Sequence, residues 1–160
     1  YKFVCWCGKG QCCYQSDGCT YRRKPDLLLN YSTAGAIKTG LADIVEIGQS
    51  VQYGKDARLL GISLGTTPFE TGTKRFKLSD SSSLYGTADR FMISAPELAC
   101  DLVDMKLYAL AMFAKREHIP LKYFKFISDN ADNSSHQAWK KSLPDAASGF
   151  LSIQDDLLSL

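Results

Sequence analysis

The stretch DLLLN, residues 26–30, narrows the folds open to this chain more than any other. It is short, nearly continuous in apolar residues, and follows Lys24-Pro25. Such a run is the signature of a strand buried on both faces, as strands are in a parallel sheet with helices on either side. It stops in STAGA (32–36), small residues whose bareness lets another group come close to the backbone.

The remaining segments fit the same scheme. YKFVCW (1–6) alternates and is rich in β-formers, and ADIVEIGQSVQY (42–53) alternates as a longer strand. Gly8 to Lys24 is polar and weakly helical. Residues 54–83 hold many Gly, Thr and Ser and read as loop with some strand. YGTADRFMIS (85–94) is a further expected strand, and Ser94-Ala95-Pro96 a helix start. A helix is predicted from about 106 to 118, with Leu107, Leu110, Ala111 and Ala114 as its apolar stripe and Asp104 as a cap. LKYFKFI (121–127) is a strand that runs directly into SDNAD (128–132), and Ala146 to Leu158 has the spacing of a closing helix.

Strands alternating with helices indicate a single α/β domain over residues 1–160, three layers α/β/α around a mostly parallel sheet. Ligand sites in such sheets form at the carboxyl ends of strands. Three candidates lie there: Ser32 to Ala36, Phe91-Met92 and Ser128-Asp129. The turn Asp104–Lys106 supplies a fourth wall.

Charge and cysteine usage exclude several classes of function. A net charge of +2 with dispersed basic residues leaves no footprint for nucleic acid. No apolar run is long enough to span a bilayer. Five of the six cysteines fall at Cys5, Cys7, Cys12, Cys13 and Cys19, yet there is no CxxC pair, and His118 and His136 are far away. The expectation is therefore buried free thiols in a reducing cytosol, with no metal and no organic cofactor. The chain opens at Tyr1 with strand-like residues and no initiator Met, and a preceding segment is expected.

Taken alone, the candidate residues admit bland readings. Asp129 reads equally as a proton donor and as a cap for the turn Asn130 to Ser134. Phe91 and Met92 fit core packing in a strand. Lys106 is either an ordinary solvated residue or a functional position that has been changed, since the first turn of a helix disfavours a cation.

KPDLLLNYSTAGAIKTGL, DIVEIGQSVQYGKDARLLG, YGTADRFMIS, LVDMKLYALA and KYFKFISDNAD, in this order, resemble the nucleoside phosphorylase and nucleosidase superfamily. The resemblance is strongest to its 5′-methylthioadenosine/S-adenosylhomocysteine nucleosidase branch. It covers most of residues 24–132 and implies a phosphorylase-like fold, a purine nucleoside as ligand, and hydrolysis of its N-glycosidic bond. It implies Asp129 as general acid, oriented by Ser128; Phe91 stacked on the purine; and the Met92 backbone at the purine edge. Thr33 and Gly35 would bring backbone amides to sugar and base, with Ser32 where relatives usually have glycine. Met105 would pack on the ribose, and Lys106 stands where the family places a glutamate that takes both ribose hydroxyls. The family's first strand and its catalytic glutamate have no counterpart, which keeps a second reading open: a degenerate relative that binds nucleosides without turnover. Arg58, Arg75 and Arg90 form no phosphate-binding pattern, so water is the expected nucleophile. A cytoplasmic homodimer is implied in the same way.

Overall fold

Leu28–Ala36 forms β3, the strand around which the sheet is built. The computed structural model describes residues 5–6, 12–13, 26–67 and 75–158. On one side β3 pairs in parallel with β9 (Leu121–Asp129), from Leu28 opposite Leu121 to Gly35 opposite Asp129. On the other it meets β8 (Leu102–Asp104) antiparallel, Gly35 opposite Val103. The strand expected over 26–30 thus begins two residues later and continues through STAGA. Small side chains there are compatible with pairing on both edges, and the burial of Ala34 and Ala36 shows how closely the neighbours approach.

The complete sheet has seven strands in the order β4-β9-β3-β8-β7-β5-β6. The further members are β4 (Ile44–Glu46), β5 (Gln49–Gln52), β6 (Arg75–Lys77) and β7 (Leu84–Thr87). Pairings β3–β9, β5–β7 and β7–β8 are parallel; β3–β8, β4–β9 and β5–β6 are antiparallel. The sheet is therefore mixed rather than mostly parallel. The reason lies in the connections: only residues 37–43 separate β3 from β4, too few for the crossover of about a dozen residues that a parallel return requires.

The strand expected over 42–53 is broken in two, and its halves lie in opposite parts of the sheet. β4 pairs with β9 at one edge, whereas β5 pairs with β7 and β6 near the other. The chain crosses at Ile47-Gly48. A Cβ on Gly48 would lie 1.8 Å from the Ser81 carbonyl oxygen, so only glycine fits this crossing. Alternation continues through the break and conceals it.

Other boundaries move for local reasons. β7 ends at Thr87, so Phe91 and Met92 lie in the following loop and not in a strand. No helix forms at Ala95-Pro96; the segment is a series of bends, with Glu97 held by Arg58 at 2.6 Å. The stretch read as loop with some strand contains a 3-10 turn at Arg58–Leu60 and one short strand, β6. Ser128 and Asp129 are the last residues of β9 and not the loop after it. The closing helix, α2, spans Ser135–Leu158 and begins well before Ala146, with Asp132 accepting the Ser134 N–H at 2.8 Å at its start. At the amino end, Cys5–Trp6 (β1) and Cys12–Cys13 (β2) pair antiparallel. Cys12-Cys13 is thus strand where weak helix was expected. The rest of 1–24, and the state of the five clustered thiols, lie outside the described residues.

Two helices cover the sheet from opposite sides. Helix α1 (Leu107–Glu117) turns Leu107, Leu110, Ala111 and Ala114 inward, and Leu107 joins Ala34, Tyr85, Leu102 and Tyr123 in the main core. It ends at His118, whose left-handed φ of 52° lets its N–H reach the last carbonyls. Helix α2 lies on the other face, where Tyr31 donates to the Ala146 carbonyl at 2.6 Å and packs against Phe150. The three-layer α/β/α arrangement follows from this alternation, Tyr31 facing α2 and Ala34 facing α1. Among the described residues, no helix is long and apolar enough to cross a membrane.

Two measurements test this packing. Leu107 is fully buried, and Leu107→Ala should cost about 2–5 kcal/mol, read by urea denaturation. Burial pushes the Cys100 thiol up from 9.0 to about 11. Its thiolate fraction at pH 8 should then be about a hundredfold below that of an ordinary cysteine. Alkylation followed by peptide mass spectrometry should show slow labelling at pH 8 that rises until about pH 11.

Candidate functional site

Because β3 and β9 run parallel, their carboxyl ends open on one rim, with Gly35 level with Asp129. The register slips between Ala34 and Gly35, a bulge that redirects the strand end. Gly35 is required there: a Cβ would lie 2.9 Å from Asp129 Oδ1 and 3.3 Å from the Val103 side chain. From the other half of the sheet, β7 and β8 end side by side at Thr87 and Asp104. The chain beyond each of them borders the same space, and the first turns of α2 close it from a third direction. The result is a cavity of about 500 Å³.

The residues given a role at the site border this cavity, whereas Ala36, at the end of the candidate wall from Ser32, does not. Thr33 and Gly35 come from β3, and Phe91 and Met92 from the loop after β7. Met105 and Lys106 come from the turn before α1, and Ser128 and Asp129 from the end of β9. Phe91 is 44 % exposed and Met92 is buried, so the loop presents one ring to the opening and anchors itself with the next side chain.

Asp129 is held from two sides. Its Oδ1 accepts the Ala131 N–H at 2.9 Å, and Oδ2 lies 2.7 Å from the Ser128 hydroxyl. The same hydroxyl lies 3.2 Å from the Ala34 carbonyl, so its single proton goes to the nearer carboxylate. Ala131 takes a φ of 49°, a left-handed conformation seldom adopted outside glycine and asparagine, and this aims its N–H back at Asp129. The turn contact expected of a capping aspartate is therefore present. Each oxygen still has a lone pair to offer a ligand.

A second carboxylate, Asp104, is fully committed to the protein. Oδ1 accepts from Thr87 Oγ1 at 2.8 Å and from the Lys106 N–H at 3.1 Å; Oδ2 accepts from Leu107 N–H at 3.1 Å and from Lys125 Nζ at 3.0 Å. Thr87 Oγ1 in turn accepts the Tyr108 N–H at 3.1 Å. The cap expected of Asp104 is thus in place, extended by Thr87. Lys125 is 0 % exposed, donates also to Ser32 Oγ, and lies 5.5 Å from the centre of the Tyr85 ring. Burial pulls its pKa down, against the opposing pull of Asp104.

Sequence reasoning passed over Lys125, His136, Trp139 and Lys140. Lys125 carried a signal, a charge between Phe124 and Phe126 inside an apolar parallel strand, which must find a buried partner. The others had none: they reach the cavity only because α2 starts earlier than its apolar spacing indicates. Trp139 Nε1 donates to Thr33 Oγ1 at 3.0 Å and fixes α2 to the rim of β3. Lys106 borders the cavity without an ion pair to any described residue. Arg58 is taken by Asp56 and Glu97 outside the cavity, and Arg75 lies exposed on β6. Among the described residues, no group of His, Cys, Asp and Glu could hold a metal ion.

Solved structures share this architecture. The chain is similar to a 5′-methylthioadenosine/S-adenosylhomocysteine nucleosidase from Helicobacter pylori, solved with butyl-thio-DADMe-Immucillin-A. The TM-score is 0.75 at 19 % identity, over 84 % of this chain and 68 % of that one. The native futalosine hydrolase of Helicobacter pylori strain 26695 matches with TM-score 0.75 and 18 % identity over the same shares. The S-adenosylhomocysteine nucleosidase of Streptococcus pyogenes, in complex with 5-methylthiotubericidin, matches at 0.68 and 18 %, over 81 % of this chain and 65 % of that one. No family model matches the sequence. At these identities the likeness is one of fold.

The buried pair beneath the cavity is open to direct measurement. Lys125→Met leaves Asp104 without its cation and should destabilise the protein by about 3–5 kcal/mol. Adding Asp104→Asn to Lys125→Met should recover part of that loss, read as a coupling energy in a double-mutant cycle of denaturant unfolding.

Proposed function

We propose that the cavity takes a purine nucleoside and that the chain hydrolyses its N-glycosidic bond, with Asp129 as the general acid. The observation that carries this reading is the placement of Asp129. It stands on the rim of the cavity, fixed by Ser128 and the Ala131 N–H, with acceptor capacity left for a ligand. Breaking a purine glycosidic bond requires a proton on the departing base, stabilisation of a cationic sugar, and a positioned water. Asp129 supplies the first. Phe91 offers a ring face for the base and Met92 its backbone edge. In this reading the Thr33 and Gly35 backbone amides approach sugar and base, and Met105 packs on the ribose. The shared fold makes 5′-methylthioadenosine and S-adenosylhomocysteine the first substrates to try.

A second reading, binding without turnover, rests on Lys106. An ammonium can only donate, and it opposes the positive charge that develops on the sugar. A homodimer belongs to the same proposal and is supported by the exposed apolar side chains of Leu59, Leu60 and Ile93.

Adenine release from 5′-methylthioadenosine separates the two readings. Asp129→Asn should lower kcat by roughly 10²–10⁴ if the carboxyl is the acid. Equal rates for this variant and the wild type would remove that assignment. If only Lys106→Glu releases adenine, the binding reading is the correct one.

A further inference from the structure

The charges around the cavity are unbalanced in a way that bears on the ligand. Arg90, Lys106 and Lys140 all line it. Two carboxylates also line it, but Asp104 is consumed by Lys125, Thr87 and two backbone N–H groups, and Asp129 accepts from Ser128 and Ala131. The first turn of α1 offers an anion nothing more, since Asp104 and Thr87 already take its N–H groups. Asp129 keeps acceptor capacity for a ligand but has no cationic partner among the described residues, so three cations stand against one free carboxylate. A neutral nucleoside would leave this excess of positive charge unanswered.

Topology places two of them together. Thr87 and Asp104 are level neighbours on parallel strands, and Arg90 and Lys106 follow them by three and two residues. The Ala88 N–H bonds to the Asp104 carbonyl at 3.0 Å, which ties the two exits to each other. Lys106 and Arg90 make no ion pair among the described residues, and Arg90 lies near the neutral Tyr53 side chain. Apolar surface from Phe91, Met92 and Trp139 lines the same cavity. Aromatic and apolar side chains in one cavity with a pair of cations suit a base and an anion carried by one molecule.

We propose that the ligand is a nucleotide, a purine nucleoside bearing a phosphate monoester on its sugar, with the phosphate held by Lys106 and Arg90. The proposal rests on the reading of the cavity as a nucleoside site and narrows its substrate class. A phosphate dianion also removes the electrostatic objection to Lys106. The ammonium then pairs with the substrate and no longer opposes the sugar cation unanswered.

The test is calorimetric titration of the wild-type chain with adenosine, with adenosine 5′-monophosphate and with adenosine 3′-monophosphate. At low salt, one of the monophosphates should bind at least about tenfold more tightly than adenosine, and the margin should shrink as salt is raised. Lys106→Gln and Arg90→Gln should each reduce the preference and Lys106→Glu should abolish it, with circular dichroism and an unchanged denaturant midpoint showing that the variants are folded. If adenosine binds as tightly as both monophosphates, the nucleotide assignment falls and the nucleoside reading stands. If neither nucleoside nor nucleotide binds, both fall. A further arm pairs adenosine with inorganic phosphate. If those two together bind as tightly as the monophosphate, the anion is a separate co-substrate and the single-molecule assignment is overturned.

Discussion

One buried carboxylate holds the centre of this molecule together. Asp104 ends β8, starts α1, receives Thr87 from β7 and meets Lys125 from β9, which in turn reaches Ser32 on β3. Four strands and a helix converge on one ion pair whose side chains are 0 % and 5 % exposed. Burying two charges is costly unless their remaining hydrogen-bonding capacity is met, and here it is met on both sides. The two halves of the sheet join antiparallel through β3 and β8 at this level, so the pair sets how they meet. The cavity lies directly above that junction.

This arrangement divides polar duties between two aspartates. Asp104 faces inward, is saturated by protein donors and has a structural task. Asp129 stands at the end of a parallel strand, steadied by a hydroxyl and one N–H, with room for a further partner. The difference arises from position: a residue inside the sheet must satisfy itself within the protein, whereas a strand's carboxyl end opens on space. The same logic sorts the cations. Lys125 is spent on Asp104, while Lys106, only two residues from that aspartate, borders the cavity.

Much of the fold could be read from periodicity, and the failures have definite causes. DLLLN and LKYFKFI announced the two central strands, and the Leu107, Leu110, Ala111, Ala114 stripe announced α1 within a residue or two. The alternation of 42–53 was real but hid a change of partner at Gly48, because a period of two says nothing about which strand lies alongside. STAGA looked like loop for want of bulk, and small residues are what a doubly paired strand end near a site can use. The start of α2 carries Ser135, His136 and Gln137, whose polarity gave no apolar period to detect.

For the site, the sequence determined which chemistry is present: an Ser-Asp pair at a strand end, an aromatic-methionine pair, and a lysine after Asp104-Met105. Those identities are local, and a motif preserves them through small errors of boundary. Only the tertiary structure decided that these segments share one cavity, that the sheet is half antiparallel, and that Asp104 is unavailable to a ligand while Lys106 borders the opening. Such facts depend on contacts between residues far apart in the chain, such as Lys125 and Ser32 or Trp139 and Thr33, and no local pattern encodes the distance between them.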